Sequence, residues 1–202
     1  MCLAIIAINT LVFIAQWMNP QVLEGLQLYP DISTVVPRSW TLITAFVLHT
    51  NPVHLLGTMF VVYYAGSKVE EVVGAKHLLY IYFVAGLTGS AAIVAASRLI
   101  DMTEPFMGAS AAALGILGAA VVLPLKSTAR SKDLQKVLIV VLVTNVAMAI
   151  FDFHGMMGST TAHLAGMAMG VFYGNIYNLY QKEDLRALYA QRGKGKPTKK
   201  IK

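Results

Sequence analysis

The chain has 202 residues, 56% of them hydrophobic and only 13% charged, with a formal net charge of +6 and a single cysteine, Cys2. That balance excludes an ordinary soluble globular domain, and one cysteine excludes an intrachain disulfide or a thiolate metal cluster. The apolar residues fall in long continuous blocks, which also excludes the alternating pattern of a membrane barrel.

Taken in chain order, the blocks are 2–18, 40–66, 77–97, 108–125, 134–151 and 160–180. All but 40–66 are close to the about 20 residues that carry a helix across a bilayer. The reading is an all-α polytopic membrane protein with six transmembrane helices in one domain, residues 1–181. A basic, disordered cytoplasmic tail follows at 182–202. The first block lacks a positive flank and is followed by five more spans, so it reads as a retained helix rather than a signal peptide.

Segment 19–39 is a long outer connection punctuated by Pro20, Pro30 and Pro37, mixed enough in character to lie on the bilayer surface. Block 40–66 is too long for one simple span. Asn51-Pro52 breaks it, with Asn at an N-cap and Pro at the first helical position predicting a helix start at Pro52. The stretch WTLITAFVLHT before it is a semi-buried approach. The third helix ends near Ser97, the fourth starts at Gly108 and ends near Pro124, and the fifth runs from about Asp133 to Phe151. A short loop, DFHGMMGS, leads to the sixth, with Met156, Met157 and Gly158 as a flexible stretch at its mouth.

Charge sets the orientation. With both termini cytoplasmic, all of the 16 Lys/Arg except Arg38 and Arg98 fall on the cytoplasmic side, as the positive-inside bias requires. The basic tail then meets anionic lipid headgroups, and no nucleic-acid partner is implied. A compact chain of this kind suits a bacterial inner membrane.

In this topology the second, fourth and sixth helices all start on the outer side. His54, Ser110 and His163 each lie within a turn or two of one of those starts, roughly 0–10 Å deep at 1.5 Å per residue. Three polar side chains at one depth are costly unless they meet one another or water. Ser110 sits in FMGASAAALG, where the bland alternative is a small-residue packing face. It lies, however, in the first helical turn, where backbone N–H groups lack partners and the helix dipole favours negative charge.

His163 has its own bland alternative, a histidine bonded to a neighbouring helix. Yet Gly166, Gly170 and Gly174 share its face and would let the alanine-rich fourth helix approach closely. A hydroxyl beside a general base is the usual activated nucleophile. No Asp completes a triad, Asp152 being eleven residues upstream. His54 and Thr58, four apart, point to one side of the second helix and suit oxyanion donors. His49, His54 and His163 could in principle hold zinc, but no carboxylate or thiolate lies near, so no metal or other cofactor is assigned.

The chain resembles the rhomboid family of intramembrane serine proteases from Trp40 to about Gly174. Gly108-Ala109-Ser110-Ala111 is similar to that family's G-x-S-G motif, and AHLAGMAMG at 162–170 to its A-H-x-x-G-x-x-x-G helix. His49, His54 and Thr58 fall on H-x-x-x-x-H-x-x-x-N, with Thr58 in place of Asn. VEEVVG at 69–74 looks like the V-E-x-x-x-G segment. The resemblance implies that Ser110 is the nucleophile, His163 the base and His54 an oxyanion donor with the Ser110 amide and Thr58. It implies supporting roles for His49, Gly108, Gly166, Gly170 and Glu70, with Glu70 a structural carboxylate. The implied activity is serine endopeptidase cleavage of single-pass transmembrane protein substrates. The alternative is a catalytically silent rhomboid-like protein that binds such clients. Beyond Thr58, the sequence departs from the family at Ala111 for Gly, Leu114 for an aromatic and Thr41 for Arg.

Overall fold

The structure is a computed structural model that describes residues 1–99, 102, 104–125, 128–151 and 153–194. Among these residues it is all-helical, with one isolated antiparallel bridge between Leu28 and Phe106. Helix α1 is Cys2–Met18, and the outer connection carries two short helices, α2 at Val22–Leu26 and α3 at Ile32–Val35. Then come α4 at Thr41–Thr44 with a 3-10 turn at Ala45–Val47, α5 at Pro52–Val73, α6 at Ala75–Ala96 and α7 at Ser110–Val122. The chain continues through α8 at Thr128–Phe151 and α9 at Phe153–Lys194.

The break at Asn51-Pro52 is where the sequence places it. The Asn51 side chain accepts from the His54 amide at 2.8 Å, with Pro52 at the first helical position. The approach Thr41–Val47 meets α5 at 92°, because Leu48 is extended and so is Asn51. At its other end α5 stops at Gly74, whose φ of 82° is open to glycine at little cost.

Helix α7 is the centre of the molecule, packed against α5, α6, α8 and α9. Ala111 through Ala120 are all buried, so it is apolar on every face, as a helix surrounded by others must be. Its small side chains bring α9 very near. A Cβ built on Gly170 would lie 1.8 Å from the Gly115 carbonyl oxygen, and one on Gly166 would lie 2.3 Å from that of Ala111. Helix α6 is as near: a Cβ on Gly115 would meet the Ala85 Cβ of α6 at 2.2 Å and the Gly166 carbonyl oxygen of α9 at 3.0 Å. The backbones are in contact, the close approach that Gly and Ala permit between membrane helices.

Several boundaries differ from those expected. α8 starts at Thr128 rather than about Asp133, because Ala129 through Lys136 contains no Gly or Pro to stop it. The expected loop DFHGMMGS is helical from Phe153 onward, so Met156, Met157 and Gly158 belong to the first turns of α9 and not to a flexible link. α9 also continues to Lys194 where a disordered tail was expected from 182. Residues 182–191, KEDLRALYAQ, are nearly all good helix formers. Asp152 and the last residues, 195–202, lie outside the described residues.

Among the described residues, α6 alone is long and apolar enough by itself to cross a membrane, and the bent pair Thr41–Val47 with α5 passes only as a unit. α1 and α7 are apolar but shorter, at 17 and 13 residues. Large apolar side chains nevertheless line the outside, among them Leu56, Phe60 and Val53 of α5 and Ile139, Val140 and Val143 of α8. An apolar exterior of that extent calls for a surrounding that is not water.

Candidate functional site

The start of α7 is built on a turn that only glycine adopts readily. Gly108 has φ of 144°, and its amide donates to the Ala45 carbonyl at 2.9 Å. The Leu28–Phe106 bridge holds the preceding residues through paired bonds of 3.0 and 2.7 Å. Ala109 caps the helix and Ser110 is its first residue. The first intrahelical bond runs from the Ala113 amide to Ala109. The amides of Ser110, Ala111 and Ala112 therefore precede it, in the zone where helical donors lack intrahelical acceptors.

Two turns of close packing between α7 and α9 place His163 opposite that start. Its Nε2 lies 2.6 Å from Ser110 Oγ, across 53 residues of sequence. The glycine stripe expected to bring these helices together does so, with Gly166, Gly170 and Gly174 all against α7 backbone or side chains. Beside the pair is a cavity of about 130 Å³ lined by Gly57, Thr58 and Val61 of α5, Ser110, Ala113 and Leu114 of α7, Val141 of α8 and His163. Thr58 is buried and faces it.

His54 comes from the other side. A Cβ placed on Gly108 would fall 2.6 Å from His54 Cε1, 3.1 Å from its Nε2 and 3.5 Å from Ser110 Oγ. One point beside Gly108 is thus within reach of both the imidazole edge and the serine oxygen, and the space exists because residue 108 has no side chain. The far nitrogen of the same ring, Nδ1, is 3.1 Å from Thr50 Oγ1, and Asn51 Nδ2 donates to that hydroxyl at 3.2 Å.

The supporting residues play distinct parts. His49 is 1% exposed and its ring stands edge-on to His54, centroids 5.3 Å apart. Its backbone exchanges two bonds of 3.1 Å with the Gln16 side chain, tying the break before α5 to α1. Glu70 is remote from Ser110 and accepts from the Met1 amine at 2.5 Å and the Cys2 amide at 2.9 Å, joining α5 to the start of α1. Among the described residues no three His, Cys, Asp or Glu side chains converge as metal ligands would.

Sequence reasoning missed Thr50 and Gln16. Gln16 was hidden because an amide in an apolar helix carries no sign of its distant partner. Thr50 could have been noticed as a hydroxyl four residues before His54, but the contact depends on the extended backbone ahead of Pro52.

Comparison with known proteins identifies a family. A family model described as the Rhomboid domain matches residues 37–179. The chain is 32% identical over 136 residues to Rhomboid protease GluP of Bacillus subtilis (strain 168), covering 66% of this chain and 25% of that protein. It is 28% identical over 152 residues to RHOMBOID-like protein 1 of Arabidopsis thaliana, covering 73% and 37%. It is 26% identical over 140 residues to Rhomboid-like protease 3 of Toxoplasma gondii, covering 69% and 52%. The chain thus spans between a quarter and about half of the length of these relatives. With a serine and a histidine in contact at the head of a buried helix, and a family match that runs from before α4 into α9, the chain belongs to the rhomboid family of integral membrane proteins.

Proposed function

We propose that this protein is an intramembrane serine endopeptidase that cleaves transmembrane protein substrates with a Ser110–His163 dyad. The observation that carries the reading is the 2.6 Å contact between Ser110 Oγ and His163 Nε2. In the first step His163 Nε2 takes the Ser110 proton while Oγ bonds to the scissile carbonyl carbon. The carbonyl oxygen, now negative, is held by the Ser110 amide and the His54 edge, with the Thr58 hydroxyl on the cavity wall. Collapse of the adduct breaks the C–N bond, and His163 returns its proton to the departing amine. Water then attacks the acyl ester, with His163 again as base, and Ser110 regains its proton.

The geometry also supports a site below the membrane surface. Helix α7 has 13 residues, about 20 Å at 1.5 Å per residue, against a hydrocarbon core of about 30 Å. With Val122 at the cytoplasmic boundary, Ser110 lies about 10 Å under the outer one. In this reading α1, α5, α6, α7, α8 and α9 are the six spans, and the basic segments flanking α5, α6 and α8 face the cytoplasm. The cavity is walled in part by α5 and α8, whose outward faces are apolar, and in this reading a substrate helix would arrive from the lipid beside them and water from outside.

The test is labelling of the purified, membrane-reconstituted chain by a fluorophosphonate, read by intact mass, beside Ser110→Ala and His163→Ala. Labelling in the parent and in neither variant is the expected result. A folded parent that does not label would leave the family member as a non-hydrolytic binder of transmembrane clients.

A further inference from the structure

We infer that Thr50 is a positioning residue that sets the tautomer and orientation of His54, directing its Nε2–H toward the point shared with Ser110. This assignment rests on the protease reading above, and it names a residue that no family motif in the sequence carries. A backbone amide can only donate. The His54 N–H donates to the Asn51 side chain at 2.8 Å, so the Asn51 atom facing it must be the carbonyl oxygen. The other atom of that amide is then the NH2 group, and it donates to Thr50 Oγ1 at 3.2 Å.

With Asn51 donating to its oxygen, Thr50 still has its one proton to give, and in this assignment that proton goes to the ring nitrogen beside it. His54 Nδ1 stands 3.1 Å away. A nitrogen that accepts cannot carry hydrogen, so in the neutral ring the hydrogen sits on Nε2. Nε2 is the nitrogen on the Gly108 side of the ring, 3.1 Å from the point beside Gly108 that lies 3.5 Å from Ser110 Oγ. The order of donation is Asn51 to Thr50, Thr50 to His54, and His54 to a developing oxyanion. One Asn51 side chain therefore both caps α5 and orients the relay, so helix start and donor polarity are set together. In the opposite tautomer the Nε2 lone pair would face the developing negative charge and repel it. A second-layer bond that fixes a histidine tautomer is the general device by which ring nitrogens are assigned their roles.

The experiment uses the full chain with nitrogen-15 histidine, the His54 signals being assigned by their loss in His54→Gln. The parent is expected to show a neutral His54 with hydrogen on Nε2 and a hydrogen-bonded, unprotonated Nδ1. Thr50→Val, which keeps the shape and removes the hydroxyl, should shift the Nδ1 signal, and Thr50→Ser should restore it. In peptide turnover Thr50→Val should lower kcat on the order of three- to tenfold with KM unchanged, a part of the about 10²–10³ lost when such a donor is removed. On a His54→Ala background the same change should do nothing more, since its effect runs through that ring. A parent with hydrogen on Nδ1, or a Thr50→Val chain with unaltered His54 signals, overturns the assignment, as does a kcat that Thr50→Val leaves intact. A parent that neither labels nor turns over sinks the protease reading alone, and the nitrogen signals still decide for or against Thr50.

Discussion

Replacing Gly170 by Ala should disable the site from a distance of two helical turns. The new Cβ would lie 1.8 Å from the Gly115 carbonyl oxygen, 2.5 Å from its carbon and 2.8 Å from its Cα. All three atoms are backbone, so no side-chain rotation relieves the clash. Ordinary contact begins at 3.4 Å, and α9 must retreat from α7 by the difference, about 1.6 Å. His163 precedes Gly170 by seven residues, about 10 Å along the axis and on nearly the same face. A retreat of that size carried to His163 would open its 2.6 Å contact with Ser110 to about 4 Å, beyond hydrogen-bond reach. Overpacking of this kind costs about 1–3 kcal/mol, and a displacement of about 1 Å at reacting atoms can cost about 10²-fold in rate. Gly170→Ala should therefore label with fluorophosphonate at least about a hundredfold more slowly and melt earlier. Gly25→Ala, where nothing lies within 4 Å of the new methyl, should match the parent in both. A Gly170→Ala chain with parental labelling and melting would refute the claim that helix contact places the histidine.

Two further outcomes follow from the same geometry. Thr58 is buried on the cavity wall with Ser110 and His163, so Thr58→Val should lower kcat about tenfold with little change in melting, less than a fully aimed donor loses; unaltered kcat would remove the hydroxyl from the mechanism. Tyr82→Phe deletes the hydroxyl that meets Asn9 of α1 at 3.0 Å and the Phe46 carbonyl at 3.1 Å. It should cost about 1–3 kcal/mol in reversible unfolding, and a variant as stable as the parent would show that this buried link between α1, α6 and the approach to α5 is idle.

Ser110 and His163 were legible because their surroundings repeat one message. The glycine stripe lets the histidine helix close on the serine helix, where two polar side chains in an apolar setting gain by pairing, and 53 residues of separation do not hide that. The start at Pro52 was legible from local chemistry alone, since Asn51 and Pro52 act within one turn. What depends on a distant partner was not legible: the bond between Gln16 and His49, the hold of Glu70 on α1, or the aim of Thr50. Helix ends in polar sequence were misjudged for a different reason. The apolar blocks 134–151 and 160–180 are shorter than the helices that carry them, α8 and α9, because charged residues such as Lys132 and Glu183 are sound helix formers once a helix is under way.

The bridge between Leu28 and Phe106 has a consequence for assembly. It closes a chain loop of 78 residues, and the Gly108 bond to Ala45 closes one nearly as long. The first needs the connection 19–39 laid against Phe106, and the second needs the turn Ala45–Val47 brought to Gly108. Such non-local closures come late, because their entropy must be met before their bonds reward it. A nascent chain with α7 already inserted would thus hold its serine without the turn that aims it. The site is timed by topology: Ser110 can stand at the head of α7 early, but the turn that aims it is complete only once these long-range bonds have closed.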